Sequence, residues 1–105
     1  MKNGVKFSEK EGTLTARLSG EIDHHAVKTQ RSGIDGMLFQ VKPKLLILDF
    51  SEVKFMDSSG IGLIIGRASV CESMGCLISV VGLSNTLKKL VRLSGVEKIE
   101  GITVV

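Results

Sequence analysis

The sequence has no tryptophan and no tyrosine, and only four phenylalanines among its 105 residues. Any core it forms must therefore be mainly aliphatic, built from Leu, Ile, Val and Met. There is one proline, Pro43, and no Pro/Gly/Ser-rich stretch or internal repeat. That leaves no linker, and the length suits one domain, residues 1–105, with one core. No apolar run approaches the ~18 residues of a membrane span. The N-terminal MKNGVKFSEKEGTLT lacks the apolar stretch of a signal peptide. A cytoplasmic protein without a membrane partner is the expectation. The two cysteines, Cys71 and Cys76, are spaced C-x4-C, which matches neither a redox nor a zinc pattern. They are expected to be reduced thiols at or near the core.

Phosphate cradles are missing as well. There is no G-x-x-x-x-G-K-[ST] and no G-x-G-x-x-G, and Gly60, Gly62 and Gly66 have the wrong spacing for either. No metal-ligand cluster is visible, so neither cofactor nor metal is expected. The formal net charge of +3 is scattered among acids. Lys88, Lys89 and Arg92 read as one solvated helix face, and nothing indicates nucleic acid as a partner.

What remains is an ordinary globular pattern. Residues 4–9 and 13–19 read as two strands separated by Lys10, Glu11 and Gly12, a candidate antiparallel hairpin. Val27, Ile34, Leu38 and Val41 share one face of a helix over 24–41. Gly33 and Gly36 weaken that helix by up to about 1 kcal/mol each, so it must lean on packing. Pro43 marks a connection. Residues 45–50, Leu-Leu-Ile-Leu-Asp-Phe, suit a central strand buried on both faces. A second helix is expected over 58–74, with Ile61, Ile64, Ile65, Ala68 and Cys71 inward and Gly75 as its C-cap. Residues 76–81 form another strand. Ser84 caps a third helix whose inner stripe is Leu87, Leu90 and Val91, and Gly95 ends it. Residues 101–105 add a last strand. The order β-β-α-β-α-β-α-β predicts a small α/β domain. Its mixed sheet has an N-terminal hairpin and right-handed parallel crossovers, covered by about three helices.

The segment Phe55-Met56-Asp57-Ser58-Ser59-Gly60-Ile61-Gly62 follows the central strand and opens the second helix. A helix N-terminus exposes unpaired N–H groups and partial positive charge, which favours a phosphate. Gly60 and Gly62 leave little side chain above that start, so another protein can approach closely. The same tetrapeptide is also a good helix start with no other role, because Asp and Ser both cap. A catalytic serine needs a base and an orienting acid. The only histidines, His24 and His25, lie at the start of the first helix after Glu21 and Asp23, and a solvated helix start or an N-cap accounts for these residues.

Three separated segments resemble one known family. LDFSEVKFMDSSGIGLIIGR at 48–67 resembles the core motif of STAS-domain anti-sigma factor antagonists. LSGEIDHH at 18–25 is similar to their Gly-Glu-Leu-Asp turn, with the His-His pair of the sporulation members. LVRLSGVEKI at 90–99 resembles the end of their third helix. The resemblance implies a regulator of transcription by partner switching, a kinase substrate rather than an enzyme. The unphosphorylated antagonist binds an anti-sigma factor with serine kinase activity, and the sigma factor is released. Phosphorylation breaks that association, and a serine phosphatase restores it. Matched residue by residue, Ser58 is the phospho-acceptor, with Ser59 its rival. Asp57, Ser59, Gly60, Ile61 and Gly62 form the partner-binding surface, and Glu21 and Asp23 a loop facing the same partner. Family members often continue into a C-terminal helix, whereas this sequence ends at Val105, so incomplete cover of one sheet edge or face is expected.

Three alternatives follow from the same residues. One is a STAS interaction subunit of a transport or signalling complex that is never phosphorylated. Another is a small nucleotide-binding or nucleotide-hydrolysing enzyme, which lacks the phosphate loop. The third is a phospho-Asp receiver using Asp49 or Asp57, which lacks the paired acids after its first strand.

Overall fold

The computed structural model describes residues 4–105. Its strands are β1 (Gly4–Lys10), β2 (Thr13–Ile22), β3 (Leu45–Met56), β4 (Leu77–Val81) and β5 (Ile102–Val104). Its helices are α1 (Ala26–Val41), α2 (Ser58–Met74) and α3 (Asn85–Ser94), with a 3-10 turn over Val96–Lys98. The five strands lie in sequence order across one sheet. β1 and β2 are antiparallel, and the other pairs are parallel. This is the expected mixed α/β architecture.

The hairpin turns at Glu11 and Gly12, both at positive φ. A two-residue turn of that kind matches the twist of the flanking strands. From β2 onward, each crossover moves one strand further in the same direction. Right-handed crossovers that march one way place every helix on the same face of the sheet. The burial pattern follows. Leu14, Ala16, Leu18, Leu46, Leu48, Phe50, Ile78, Val80 and Ile102 are buried beneath the helices. Their alternates Leu45, Ile47 and Asp49 are only half-buried, and Leu77 is exposed. The expectation that 45–50 is buried on both faces is therefore corrected: the described residues cover only one face.

β3 is also longer than expected, continuing past Phe50 to Met56. β2 remains beside it as a partner, through register shifts after Arg17 and Gly20, until Ile22 pairs with Met56. Such irregularities break strict alternation and hid the second half of the strand.

α2 departs from its expected face. Gly60, Leu63, Ile64, Arg67 and Cys71 point inward, whereas Ile65 is exposed and Ile61 and Ala68 are half-buried. Arg67 is a buried charge. Its Nε lies 2.7 Å from Asp35 Oδ1 of α1, with the Arg67 side chain 5% exposed and that of Asp35 27% exposed. In α3, Leu87 and Val91 are inward but Leu90 is exposed. The caps fall where expected, with Ser84 Oγ accepting from the Leu87 N–H at 3.2 Å. Gly75 and Gly95 are at positive φ. Gly82, at φ +77°, is required: a Cβ there would stand 2.7 Å from both Asp49 Oδ1 and the Ser51 nitrogen.

Candidate functional site

β2 and β3 end side by side, with Ile22 opposite Met56. The Asp57 N–H donates to the Ile22 carbonyl at 3.2 Å. The chain therefore leaves two adjacent parallel strands at Asp23 and Asp57; Asp57 caps α2, and Asp23 accepts from backbone N–H groups at the start of α1. Asp57 is extended, and its Oδ1 accepts from the Ser59 N–H at 2.7 Å. Its carbonyl accepts from the Gly60 N–H at 3.0 Å. Asp23 Oδ1 accepts from the Ala26 N–H at 2.8 Å and the His25 N–H at 3.0 Å. The Ala26 N–H, opposed by desolvation and helped by His25, holds the Asp23 carboxyl below its ordinary pKa. Two carboxylates thus neutralise the positive ends of two neighbouring helices. The α1 start was expected at 24; it falls at Ala26, after the N-cap His25, which makes no side-chain cap bond.

Ser58 is the first residue of α2 and is exposed, and its hydroxyl has no hydrogen-bond partner among the described residues. Ser59, half-buried, turns further into the fold. Gly62 is exposed, with nothing within 4 Å of where a Cβ would stand. Gly60 departs from the expected surface role. It is buried, and a Cβ on it would lie 2.1 Å from Met56 Cγ, so it serves packing of α2 against the end of β3. Ile61 is half-buried. Glu21 is exposed but belongs to β2, opposite Phe55, rather than to a loop.

Sequence reasoning missed an apolar component of this end of the molecule. Phe55 is 50% exposed and Ile65 44% exposed. Phe55 lines an open groove of about 430 Å³ with Lys54, Met56, Ser84, Thr86, Leu87 and Leu90. Ser58, Gly62 and Ile65 follow one another at helical spacing along the outer face of α2. The signal was present in Ile61, Leu63, Ile64 and Ile65: four apolar residues in five positions exceed what one helix face can bury.

Other candidate chemistry does not assemble here. His24 and His25 meet edge-on at 5.8 Å between ring centres, and neither hydrogen-bonds Ser58. Asp49 is occupied: Arg17 Nε approaches its Oδ2 at 3.1 Å and the Ser51 N–H donates to its Oδ1 at 2.9 Å. Among the described residues, no group of three or more His, Cys, Asp or Glu is placed to hold a metal ion. No described helix is long and apolar enough to cross a membrane.

Comparison with known proteins bears on this geometry. A family model described as the STAS domain matches residues 5–104. An anti-sigma F factor antagonist of Lysinibacillus sphaericus is 37% identical over 83 residues, covering 79% of this chain and 71% of that protein. The anti-sigma factor antagonist SpoIIAA, solved in its unphosphorylated form, superposes with a TM-score of 0.81 at 31% identity. That match covers 97% of this chain and 88% of the other. The Bacillus cell fate determinant SpoIIAA, solved in the phosphorylated form, gives a TM-score of 0.73 at 31% identity, covering 97% and 91%.

Proposed function

We propose that the chain, which belongs to the STAS-domain family, is an anti-sigma factor antagonist that phosphorylation of Ser58 switches off. The observation that carries this reading is the exposed, unpartnered Ser58 hydroxyl at the first turn of α2, next to the capping acid Asp57. Relatives that share this fold are named as anti-sigma factor antagonists, and one was solved in both phosphorylation states. Exposure favours Ser58 over the half-buried Ser59 as acceptor.

In this reading the protein acts in the cytoplasm, and its partner is an anti-sigma factor that is also a serine kinase. The free antagonist covers the kinase with the end of the molecule formed by Glu21, Asp23, Asp57, Ile61 and Gly62. The sigma factor is then released. The kinase transfers the terminal phosphoryl group of ATP to Ser58 Oγ, leaving ADP and a proton. A serine phosphatase hydrolyses the ester and restores binding. The chain itself is a substrate and needs no cofactor.

Phosphorylation adds about −1.5 to −2 charges at neutral pH. The helix start accommodates an anion, but the Ser59 N–H is already committed to Asp57. The dianion therefore projects outward beside the Asp57 carboxylate, at the end of the molecule that also carries Asp23, where the partner expected a neutral hydroxyl. Loss of about 2.7 kcal/mol at that contact weakens binding a hundredfold.

The test is incubation with the cognate anti-sigma kinase and ATP, followed by mapping of phosphate by tandem mass spectrometry. Phosphate on Ser58, absent from Ser58→Ala, supports the switch. Phosphate on Ser59 moves the site. If a kinase proven active on another substrate leaves the chain unmodified, the protein is a constitutive binding module instead.

A further inference from the structure

α2 closes with two backbone bonds. The Cys76 N–H donates to the Cys71 carbonyl at 2.8 Å, and the N–H of Gly75, at φ +70°, donates to the Glu72 carbonyl at 3.2 Å. This paired closure sets the residue after the cap against the one five positions earlier, where an apolar contact usually sits. In this chain both positions are cysteines. Cys71 is 1% exposed and Cys76 is 5% exposed. Both are free, and the Cys76 thiol donates to the Leu77 carbonyl at 3.4 Å. A disulfide needs Cα atoms within about 7 Å, a separation that the ends of such a backbone ring satisfy. Cys76 also lines an open cavity of about 380 Å³ with Ala68, Glu72, Leu77 and Gly101, wide enough for a small oxidant.

We propose that Cys71 and Cys76 are an oxidative modification site, closed by hydrogen peroxide into a reversible disulfide that staples the end of α2 to the start of β4. The sulfur of Cys76, a residue that lines the cavity, attacks one peroxide oxygen. The O–O bond breaks, water leaves, and Cys76 becomes a sulfenic acid. The Cys71 sulfur then attacks the Cys76 sulfur, the S–O bond breaks, and a second water leaves. Two thiols lose two electrons and two protons, and the peroxide is reduced to two waters. Burial pushes the Cys71 thiol up to about 12 and raises Cys76 in the same direction. Thiolate is scarce at neutral pH, so the pair records sustained oxidant rather than a brief pulse. Cys71 lies 13 residues after Ser58, the first residue of α2, so at 1.5 Å per residue the staple lies roughly 20 Å from Ser58. The proposal is independent of the phosphorylation reading.

The experiment treats the folded full chain with hydrogen peroxide, removes the oxidant, denatures, and alkylates free thiols. The expected result is an intact mass lower by about 2 Da, loss of both alkylation sites, and recovery with dithiothreitol. A cross-linked peptide should join residues 71 and 76. Cys71→Ser should instead retain a sulfenic acid on Cys76 that dimedone traps. The proposal is overturned if both thiols stay alkylatable while the four methionines gain oxygen. It is equally overturned if oxidation yields only a dimer linked between chains.

Discussion

Replacing Gly60 with alanine tests how the site is held. The new Cβ would stand 2.1 Å from Met56 Cγ and 2.2 Å from its Sδ. Carbon contacts are comfortable near 3.5–4.0 Å, so Met56 must retreat by roughly 1.5 Å. It is 4% exposed and sits at the last position of β3, so the movement pushes into the core. Overpacking of this kind costs about 1–3 kcal/mol. Alanine returns up to about 1 kcal/mol of helix propensity. The net expectation is a loss of roughly 1–2 kcal/mol, or a Tm lower by about 4–16 °C. Gly62→Ala is the matched control, because nothing lies within 4 Å of its would-be Cβ. That variant should gain a few tenths to about 1 kcal/mol and yet bind the kinase less well, since on the proposed reading its methyl would face the partner. With no tryptophan or tyrosine in the chain, urea unfolding is best followed by far-UV circular dichroism. If Gly60→Ala proved as stable as Gly62→Ala, Met56 would not be the wall against which α2 starts.

Three further outcomes follow. Asp35→Ala leaves the buried Arg67 guanidinium unpaired and should destabilise by about 3 kcal/mol, the low end for a broken buried pair because Asp35 is partly exposed. Asp35→Ala with Arg67→Met should recover most of that in urea titrations. Ser58→Ala should bind the kinase in the presence of ATP indefinitely, whereas Ser58→Asp should weaken binding at least tenfold by titration calorimetry; equal affinity would exclude charge as the switch. Stability should be level between about pH 5 and pH 8 and fall in acid. Asp23 and Asp49 both have folded pKa values below their ordinary 3.8, so what they contribute is present above that value and lost as pH falls through the lowered ones. For Asp49, burial opposes ionisation but the Ser51 backbone and hydroxyl and the Arg17 guanidinium outweigh it. Arg17→Met should therefore make the acid limb of a thermal-unfolding series shallower.

The element order and the caps were legible because they depend on local chemistry. Asp57, Ser84, Gly75 and Gly95 announce helix ends whatever surrounds them. The one-sided burial of the sheet was not legible. Leu45, Ile47 and Leu77 are as apolar as Leu46, Leu48 and Ile78, and only the direction of the crossovers decides which set is covered. Similarly, Ile65 and Leu90 were read as inward because apolar residues were assumed to be core. An arginine inside α2 was not anticipated, since its acceptable burial depends on Asp35 arriving from another helix. At the site, the Asp57 cap and the position of Ser58 at the start of α2 were visible in the motif. The inward role of Gly60 was not, because sequence does not show which glycine meets Met56.

A switch of the proposed kind has to act without unfolding its carrier, and the geometry bears on whether it does. Ser58 is exposed, its hydroxyl supports no other group, and the α2 start is already fixed by Asp57 through the Ser59 N–H and by the Asp57 N–H to Ile22. A phosphate there removes no internal bond. Its interaction with the helix end is favourable by about 0.3–1 kcal/mol at an exposed position, and repulsion from Asp57 offsets part of that. Phosphorylated and unmodified protein should therefore show urea-unfolding free energies within roughly 1 kcal/mol of one another, while kinase affinity falls about a hundredfold. Stability and binding measured on the same two samples separate the possibilities. A large drop in both would mean that the phosphate melts the start of α2, and that the partner is lost because its surface is gone rather than because a charge has been placed in its way.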